Sequence, residues 1–393
     1  MTRYSKLADT DLCVMCGMCL PHCPTYQLYQ SEAESPRGRI ALMQAIDHNN
    51  IKNDPAALLY IDHCLGCLNC ETICPSGVPF GKLIDEFRDQ LNPSIKKNII
   101  SRLILRQSKK PDGIDKLAAI ASHPALKPVL GLATGLTKIT PLPPSSGKLN
   151  ELYPALASRL GQVTLFTGCG GKSTDSESIL SATQVLNRLG FDVHLPRQEF
   201  CCGALHQHNG QLSAATELLQ HNTSRFTQIN SQTDSQAILF FSPACGSQLL
   251  KIPDLPIEDA RLFIFSQIKK QALLLSPLPQ AVALHESCSQ QNMLKSKSPN
   301  LKLLQCIPDI QITLSSQPSI CCGAGGLQAF NYPEQAQALL QKKLSTFDWS
   351  KTNTLISDNI GCSLHIKSAI SAYNPQVEVL HPISLLARQL PPP

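Results

Sequence analysis

The sequence predicts an α+β multidomain chain: a small helical module first, then two α/β repeats, each built on a parallel sheet. Three observations carry this. Two twelve-residue cysteine strings of identical spacing lie near the N-terminus; from residue 161 onward short apolar strands alternate with helices; and that alternation runs twice, with cysteines at matching places. A chain of 393 residues has room for such an arrangement. The divisions expected are 1–90 for the helical module, 91–160 for a helical and linker segment, and 161–275 and 276–393 for the repeats.

The first string is Cys13, Cys16, Cys19 and Cys23 followed by Pro24; the second is Cys64, Cys67, Cys70 and Cys74 followed by Pro75. Both read C-x2-C-x2-C-x3-C-P, the bacterial ferredoxin run that holds a [4Fe–4S] cubane. Three thiolates two residues apart on a tight turn reach three corners of one cubane. The fourth, before proline, points away and caps the cluster of the other run. The expected ligands are therefore Cys13, Cys16, Cys19 and Cys74 for one cluster, and Cys64, Cys67, Cys70 and Cys23 for the other. Zinc sites or a disulfide framework are the competing reading, and duplication of the pattern with its proline argues against both.

Between the runs, Ser31–Met43 reads as a turn leading into a helix to about His48, with Ile40 and Met43 facing the core, joined by Ala45 or Ile46. Arg37 and Arg39 in "SPRGRI" either pair with cluster or partner charge or serve as solvated, capping arginines. The wide separation of the runs resembles the α-helical ferredoxin domain of succinate dehydrogenase and fumarate reductase iron–sulfur subunits.

In the next segment Ile95, Ile99, Ile100, Leu103 and Ile104 recur at helical spacing among Lys96, Lys97, Arg102 and Arg106. Such a basic amphipathic helix either packs on its own protein or on a subunit, or lies on an anionic membrane surface. Pro141–Gly147 is the clearest linker.

The first repeat opens with a strand at Gln162–Cys169, then a helix over Ser176–Leu189 and a strand at Asp192–Leu195. It continues through Cys201-Cys202-Gly203, a helix over Leu212–Ile229 and a strand at Ala237–Phe241, to end at Cys245. The second has strands at Ala281–Leu284, Ile310–Leu314 and Thr354–Ser357, a helix near Leu301 and one over Pro333–Leu344. Its cysteines are Cys288, Cys321, Cys322 and Cys362. Each copy thus gathers four thiols, Cys169, Cys201, Cys202 and Cys245 in the first, at strand ends, where open α/β sheets put their ligands. They suit an iron–sulfur cluster or Zn²⁺, or are simply small buried residues. Gly203 and Gly323 are expected to let the backbone approach a bulky ligand. Cys306 fits neither set and is expected in the core.

Composition excludes other classes. A dispersed net charge of +5 gives no nucleic-acid face, and apolar stretches such as Ala237–Phe241 and Ala272–Leu275 are far too short to span a bilayer. The N-terminal MTRYSKLADTDLC has no apolar core of a secretory signal, so seventeen cysteines point to metal ligation in a reducing, cytoplasmic compartment rather than to disulfides. No dinucleotide fingerprint, P-loop or nucleophile elbow occurs, and no residue is assigned a catalytic role. A chain with clusters and no site for hydride or substrate chemistry is expected to conduct electrons.

With "TLFTGCG", "EFCCGALHQHNG", "SPACGSQL", "HESC", "CCGAGG", "NIGCSLHI" and "VLHPISLLARQL" added to the two runs, nearly the whole chain resembles the glycolate oxidase iron–sulfur subunits. Related families are lactate-oxidation iron–sulfur proteins, an anaerobic glycerol-3-phosphate dehydrogenase subunit and the heterodisulfide reductase subunit. The resemblance implies two [4Fe–4S] clusters, two CCG domains with Rossmann-like parallel sheets, flavoprotein partner subunits and a quinone or other membrane-associated acceptor. It also implies a peripheral place at the inner face of the cell membrane. One departure matters: heterodisulfide reductase CCG domains end in CxxC, whereas Gln248 and His365 stand at the final-cysteine positions here. That puts noncubane clusters and direct disulfide chemistry in doubt. His365 is either a substitute ligand or a packing histidine, and His206, His208 and His285 are candidates to hydrogen-bond a sulfur.

Overall fold

A computed structural model describes residues 8–51, 54–91, 98–121, 149–197, 199–296, 298–317 and 319–392. Ile95, Lys96, Lys97 and the Pro141–Gly147 linker lie outside the described residues. The fold class is as expected: a helical module followed by two α/β units with parallel sheets.

The helical module closes around Ile40, Met43, Leu58, Ile61, Leu83, Ile84 and Phe87. Its helix Pro36–Asp47 starts where Ser35 accepts a hydrogen bond from the Gly38 amide and Pro36 pre-sets the first turn. Asp54 and Pro55 do the same for Pro55–Asp62. Helix Phe80–Leu91 buries Phe80, Leu83, Ile84, Phe87 and Leu91, one face at 3.6-residue spacing.

The first sheet has strands β1 (Leu152–Tyr153), β2 (Gly161–Phe166), β3 (Phe191–His194), β4 (Ser235–Phe240) and β5 (Ile257–Asp259), ordered β1-β3-β2-β4-β5. The second has β6 (Ala281–His285), β7 (Gln311–Leu314), β8 (Thr354–Ser357) and β9 (Glu378–Leu380), ordered β7-β6-β8-β9. Apart from β1, which runs antiparallel to β3, every pairing is parallel. The edge strands β1, β5 and β9 are too short to show a period and escape sequence reading. β1 also attaches the end of the expected linker segment to the first sheet, where the Ala155 amide donates to Asp192 Oδ1 at 2.8 Å.

Helix Ile99–Ser108 packs, but not through the expected stripe. Ser101, Leu105 and Ser108 are buried, while Ile99 and Leu103 are 68% and 41% exposed. Polar anchors outweigh the apolar pattern here: Ser101 Oγ reaches Asn331 Oδ1 at 2.6 Å and Ser108 Oγ meets His206 Nε2 at 2.9 Å.

One apolar core serves both repeats. Val163 and Leu165 of β2, Leu239 of β4, Val282 and Leu284 of β6 and Ile356 of β8 all belong to it. Four helices fill the space between the sheets: Ser176–Arg188, Ala260–Gln271, Pro299–Leu304 and Pro382–Ala387. Helix Ser176–Arg188 packs on Pro382–Ala387, and Ala260–Gln271 on Pro299–Leu304, the reciprocal pattern of a twofold interface. Helix Leu212–Gln232 covers the outer face of the first sheet; Pro333–Leu344 and Ile360–Tyr373 cover that of the second.

Buried polar groups cross this junction, Arg261 and His381 among them. Arg261 binds Asp259 within its own repeat, and reaches Asp358 Oδ2 at 2.6 Å and Asn300 Oδ1 at 2.7 Å in the other. His381 caps Pro382–Ala387, accepting from the Ile383 amide at 3.2 Å, while its Nε2 donates to the Phe241 carbonyl at 3.1 Å. That arrangement requires a neutral ring. Burial, then Arg261, pulls the His381 pKa down to about 4, against opposing help from Asp358 and Asp259. The unfolded chain takes up this proton near pH 6.5 and the folded chain only near 4, so stability is greatest above 6.5 and falls as pH drops between them. The expected slope is about 1.4 kcal/mol per pH unit. Melting temperature against pH checks it: His381→Gln should flatten the fall between pH 6.5 and 4.5, and an unchanged slope would assign it elsewhere.

Candidate metal centres

The two cysteine runs fold into matching loops. Met15 and Gly17 in the first, and Gly66 and Leu68 in the second, all have positive φ. Met15 and Leu68 therefore hold a left-handed conformation disfavoured for side-chain-bearing residues, at the turns that point the cysteines inward.

Around these loops lie two adjoining cavities. One is lined by Cys13, Cys16, Cys19 and Cys74, with Cys70 also in its wall. The other is lined by Cys23, Cys64, Cys67 and Cys70. Pro36, Cys70 and Phe80 belong to both linings and form the shared wall. The chain thus brings the fourth cysteine of each run to the first three of the other. The first cavity is near the surface, where Leu12, Val14, Met15 and Met18 are 41–68% exposed. All four thiols of the second are buried. Burial, with neighbouring thiols adding to it, pushes the Cys67 and Cys70 thiols well above the ordinary range, so a metal bound there displaces their protons. The donor set fits iron–sulfur clusters in both cavities: four soft sulfurs and no oxygen ligand among the cysteines' converging side chains.

"SPRGRI" has a structural explanation. Arg37 lines the first cavity and Arg39 the second. Arg37 donates to the Met15 carbonyl at 2.9 Å and pairs with Glu32 at 2.7 Å, which clamps the first loop. Arg39 is buried, pairs with Glu34 at 2.6 Å, donates to the Tyr60 carbonyl at 2.7 Å and lies 3.9 Å from Cys23 Sγ. Gly38 separates them because a Cβ there would stand 1.9 Å from the Glu32 carbonyl oxygen. Arg37 and Arg39 thus line the thiol cavities, and the solvated reading does not hold for Arg39.

In the repeats, the cysteines gather at the carboxyl ends of the central strands. Chain order reverses between β2 and β4, and again between β6 and β8, the crevice where open parallel sheets bind ligands. In the first repeat Cys201 and Cys202 are buried in one cluster with Cys169 and Cys245 packed against it. Interaction with the neighbouring thiols, together with burial, pushes Cys201 and Cys245 up, while the same neighbours draw Cys202 well below the thiol range. The second repeat does the same with Cys321, held between Cys288 and Cys322. There Cys322 and Cys362 stand 3.0 Å apart. The amides of Gly203 and Gly323 donate to Cys201 and Cys321 Sγ at 3.5 and 3.4 Å.

The expected reason for these glycines needs correction. A Cβ at Gly203 would lie 2.9 Å from the Ala215 carbonyl oxygen, and at Gly323 2.5 Å from that of Ala336, and both have positive φ. The constraint is helix packing and backbone turn, not room for a ligand. Gln248 is buried and bonded to Lys251 Nζ at 2.9 Å. His365 Nε2 donates to the Ala336 carbonyl at 3.3 Å, so it packs. His206 is bound by Ser108 and Gln211, and His208 by Asp85, at 3.4 Å. His285 alone of these histidines lies among thiols with no hydrogen bond, and burial pulls its pKa down to about 3. Cys306 packs, half-buried, against the shared core.

Sequence reading missed how the module sits on the repeats. Asn292 donates to the Cys67 carbonyl at 2.7 Å, Asn69 to the Ser319 carbonyl at 2.7 Å, and Gln328 to the Asp62 carbonyl at 2.6 Å. Cys67 packs with Leu65, Cys321 and Leu339 in a small core of its own. On the other side Gln207 donates to Asp85 at 2.6 Å, and Arg88 donates to the His208 carbonyl at 3.1 Å. Only the polar residues scattered in otherwise apolar segments, such as Asn69 and Asn292, hinted at it.

The family description "4Fe-4S dicluster domain" matches residues 9–78, and "Cysteine-rich domain" matches 163–250 and 282–367. The Escherichia coli glycolate oxidase iron–sulfur subunit is 29% identical, over 92% of this chain and 91% of that one. The Bacillus subtilis probable glycolate oxidase iron–sulfur subunit is 27% identical, over 95% and 92%. The chain is a homologue of the glycolate oxidase iron–sulfur subunits. Those homologues are subunits of an oxidoreductase, and the family's dicluster and cysteine-rich domains coincide with the thiol-lined cavities and the thiol groups of the two sheets. Lactate utilization protein A of Bacillus cereus is 23% identical over 56% of this chain and 96% of its own length. A crystal structure of a hypothetical Helicobacter pylori protein shares the fold, with a TM-score of 0.50, 11% identity and coverage of 91% of this chain and 73% of that one. Among the described residues no helix is long and apolar enough to cross a membrane.

Proposed function

We propose that this chain is the electron-transfer subunit of a glycolate oxidase-type dehydrogenase complex. A partner flavoprotein oxidises the 2-hydroxy acid, and electrons pass through this chain towards quinone or another membrane-associated acceptor. The observation that carries the reading is the pair of adjoining four-thiol cavities with a common wall, one near the surface and one buried. Cys13, Cys16, Cys19 and Cys74 hold one [4Fe–4S] cluster; Cys64, Cys67, Cys70 and Cys23 hold the other. Each cluster supplies one-electron storage. The protein's part is to fix the distance between them, keep water from the second and set Arg37 and Arg39 beside them. The exposed Leu12, Val14, Met15 and Met18 rim gives a partner an apolar contact next to the first cluster. In this reading residues 1–90 conduct, 91–160 form the helical and linker segment that joins them to the repeats, and 161–275 and 276–393 bind further metal or the partner. The complex works in the cytoplasm at the inner membrane face.

The test is an anaerobic pull-down of the tagged chain from its host, followed by glycolate, lactate or glycerol 3-phosphate in separate samples. Bleaching of the iron–sulfur absorbance by glycolate, with a flavoprotein present, is the expected result. Bleaching by lactate or glycerol 3-phosphate instead would move the substrate. No flavoprotein and no bleaching would end the reading.

A further inference from the structure

The two repeats match in fold and cysteine placement, yet they differ at one buried position. Three residues before Cys169 the first repeat has Phe166, packed edge-on against Phe226 with ring centroids 5.9 Å apart. Three residues before Cys288 the second repeat has His285, 2% exposed, with neither ring nitrogen hydrogen-bonded. Burying an imidazole without partners is costly, so the position calls for something that engages nitrogen. One ring nitrogen faces sulfur: ligand atoms of His285, Cys322 and Cys362 all lie within 4.8 Å of one another, and all three residues are buried.

A second difference lies on the covering helices. Seven residues after Ala215 stands Asn222, whose side chain donates to the Cys201 carbonyl at 3.0 Å. Seven residues after Ala336 stands Lys343, 1% exposed, in the field of Cys288, Cys321, Cys322 and Cys362. A buried cation there matches a site of net negative charge.

We infer that the second repeat holds a single Zn²⁺ in a Cys₃His site formed by His285, Cys321, Cys322 and Cys362, whereas the first repeat offers sulfur alone. Cys321, adjacent to Cys322 in the chain and buried with it, supplies the third sulfur. The crowding favours one ion: three of the donors, at His285, Cys322 and Cys362, lie within 4.8 Å of one another, while a cubane spreads its ligands over separate corners. Three thiols lose their protons on binding, and Zn²⁺ with three thiolates and a neutral imidazole carries one negative charge, which Lys343 balances. The inference concerns the second repeat only and stands apart from the two clusters and the substrate.

The experiment uses the full chain, purified anaerobically with its clusters, for metal analysis and zinc-edge X-ray absorption. One zinc per chain is expected, with about three sulfurs near 2.3 Å and one nitrogen near 2.0–2.1 Å. His285→Phe, which copies the first repeat, should weaken zinc retention at least ~10-fold and remove the nitrogen shell, with cluster iron unchanged. Absence of zinc, or zinc surrounded by sulfur only, would overturn the inference. So would equal zinc retention in His285→Phe. The spectrum of the unaltered chain decides the matter even if that variant does not accumulate.

Discussion

Cys23→Ser is expected to abolish the buried cluster and spare the surface one, and Cys74→Ser the reverse. Each variant should lose about four of about eight irons per chain, since each cubane needs its fourth thiolate. The prediction runs against sequence order: Cys23 sits four residues from Cys19, yet it lines the cavity of Cys64, Cys67 and Cys70. Cys74 in turn lines that of Cys13, Cys16 and Cys19. Serine is nearly isosteric, and the Cys23 thiol contacts Thr25 Oγ1 at 3.2 Å, so the fold around it should persist. Iron analysis with magnetic resonance of the reduced protein separates the clusters by their spectra and exposure to added relaxing agents. If Cys23→Ser took the exposed cluster instead, the crossed assignment would be wrong.

Arg39→Ala is expected to cost about 3–5 kcal/mol, because it strands a buried carboxylate. Glu34 is 2% exposed and held by Arg39 at 2.6 Å and by His63 at 2.6 Å. Arg39 also donates to the Tyr60 carbonyl and to Thr25 Oγ1 at 3.0 Å, tying helix Pro36–Asp47 to both cysteine runs. Its guanidinium sits 3.9 Å from Cys23 Sγ, so losing it also removes a positive charge from the second cluster. Reduction adds an electron there, and the potential of that cluster should therefore fall. Arg39→Lys keeps the charge but not the fork, and should recover more of the potential than of the stability. Thermal unfolding and redox titration read the two effects separately. Loss below about 1 kcal/mol would mean that Glu34 finds another partner.

The N-terminal metal chemistry was legible because it is local. A C-x2-C-x2-C-x3-C-P loop must turn tightly to aim three sulfurs inward, and the proline-linked fourth cysteine fixes the crossing. Helix Pro333–Leu344 and strand Thr354–Ser357 were legible at their boundaries too, since a proline opens the helix and a short apolar run marks the strand. Other elements were not. The strands β5 and β9 are three residues long, below any period, and exist because a neighbouring strand offers a paired edge. The stripe at Ile99 and Leu103 misled because two serines with buried partners, Asn331 and His206, chose the packed face.

By itself the sequence determined the two cysteine runs, the duplicated α/β repeat and the resemblance to the iron–sulfur subunits. All rest on residue identity at short range or on repetition along the chain. Tertiary structure alone decided what surrounds those ligands. It put Arg37 and Arg39 on different cavities, and set Cys67 against Cys321 more than two hundred residues away. It also fused both repeats around one core through Arg261 and His381, and left His285 unpaired among thiols where the sister repeat has phenylalanine. Burial and long-range contact belong to the assembled chain, because side chains distant in sequence share a low-dielectric space only after the sheets have closed on each other.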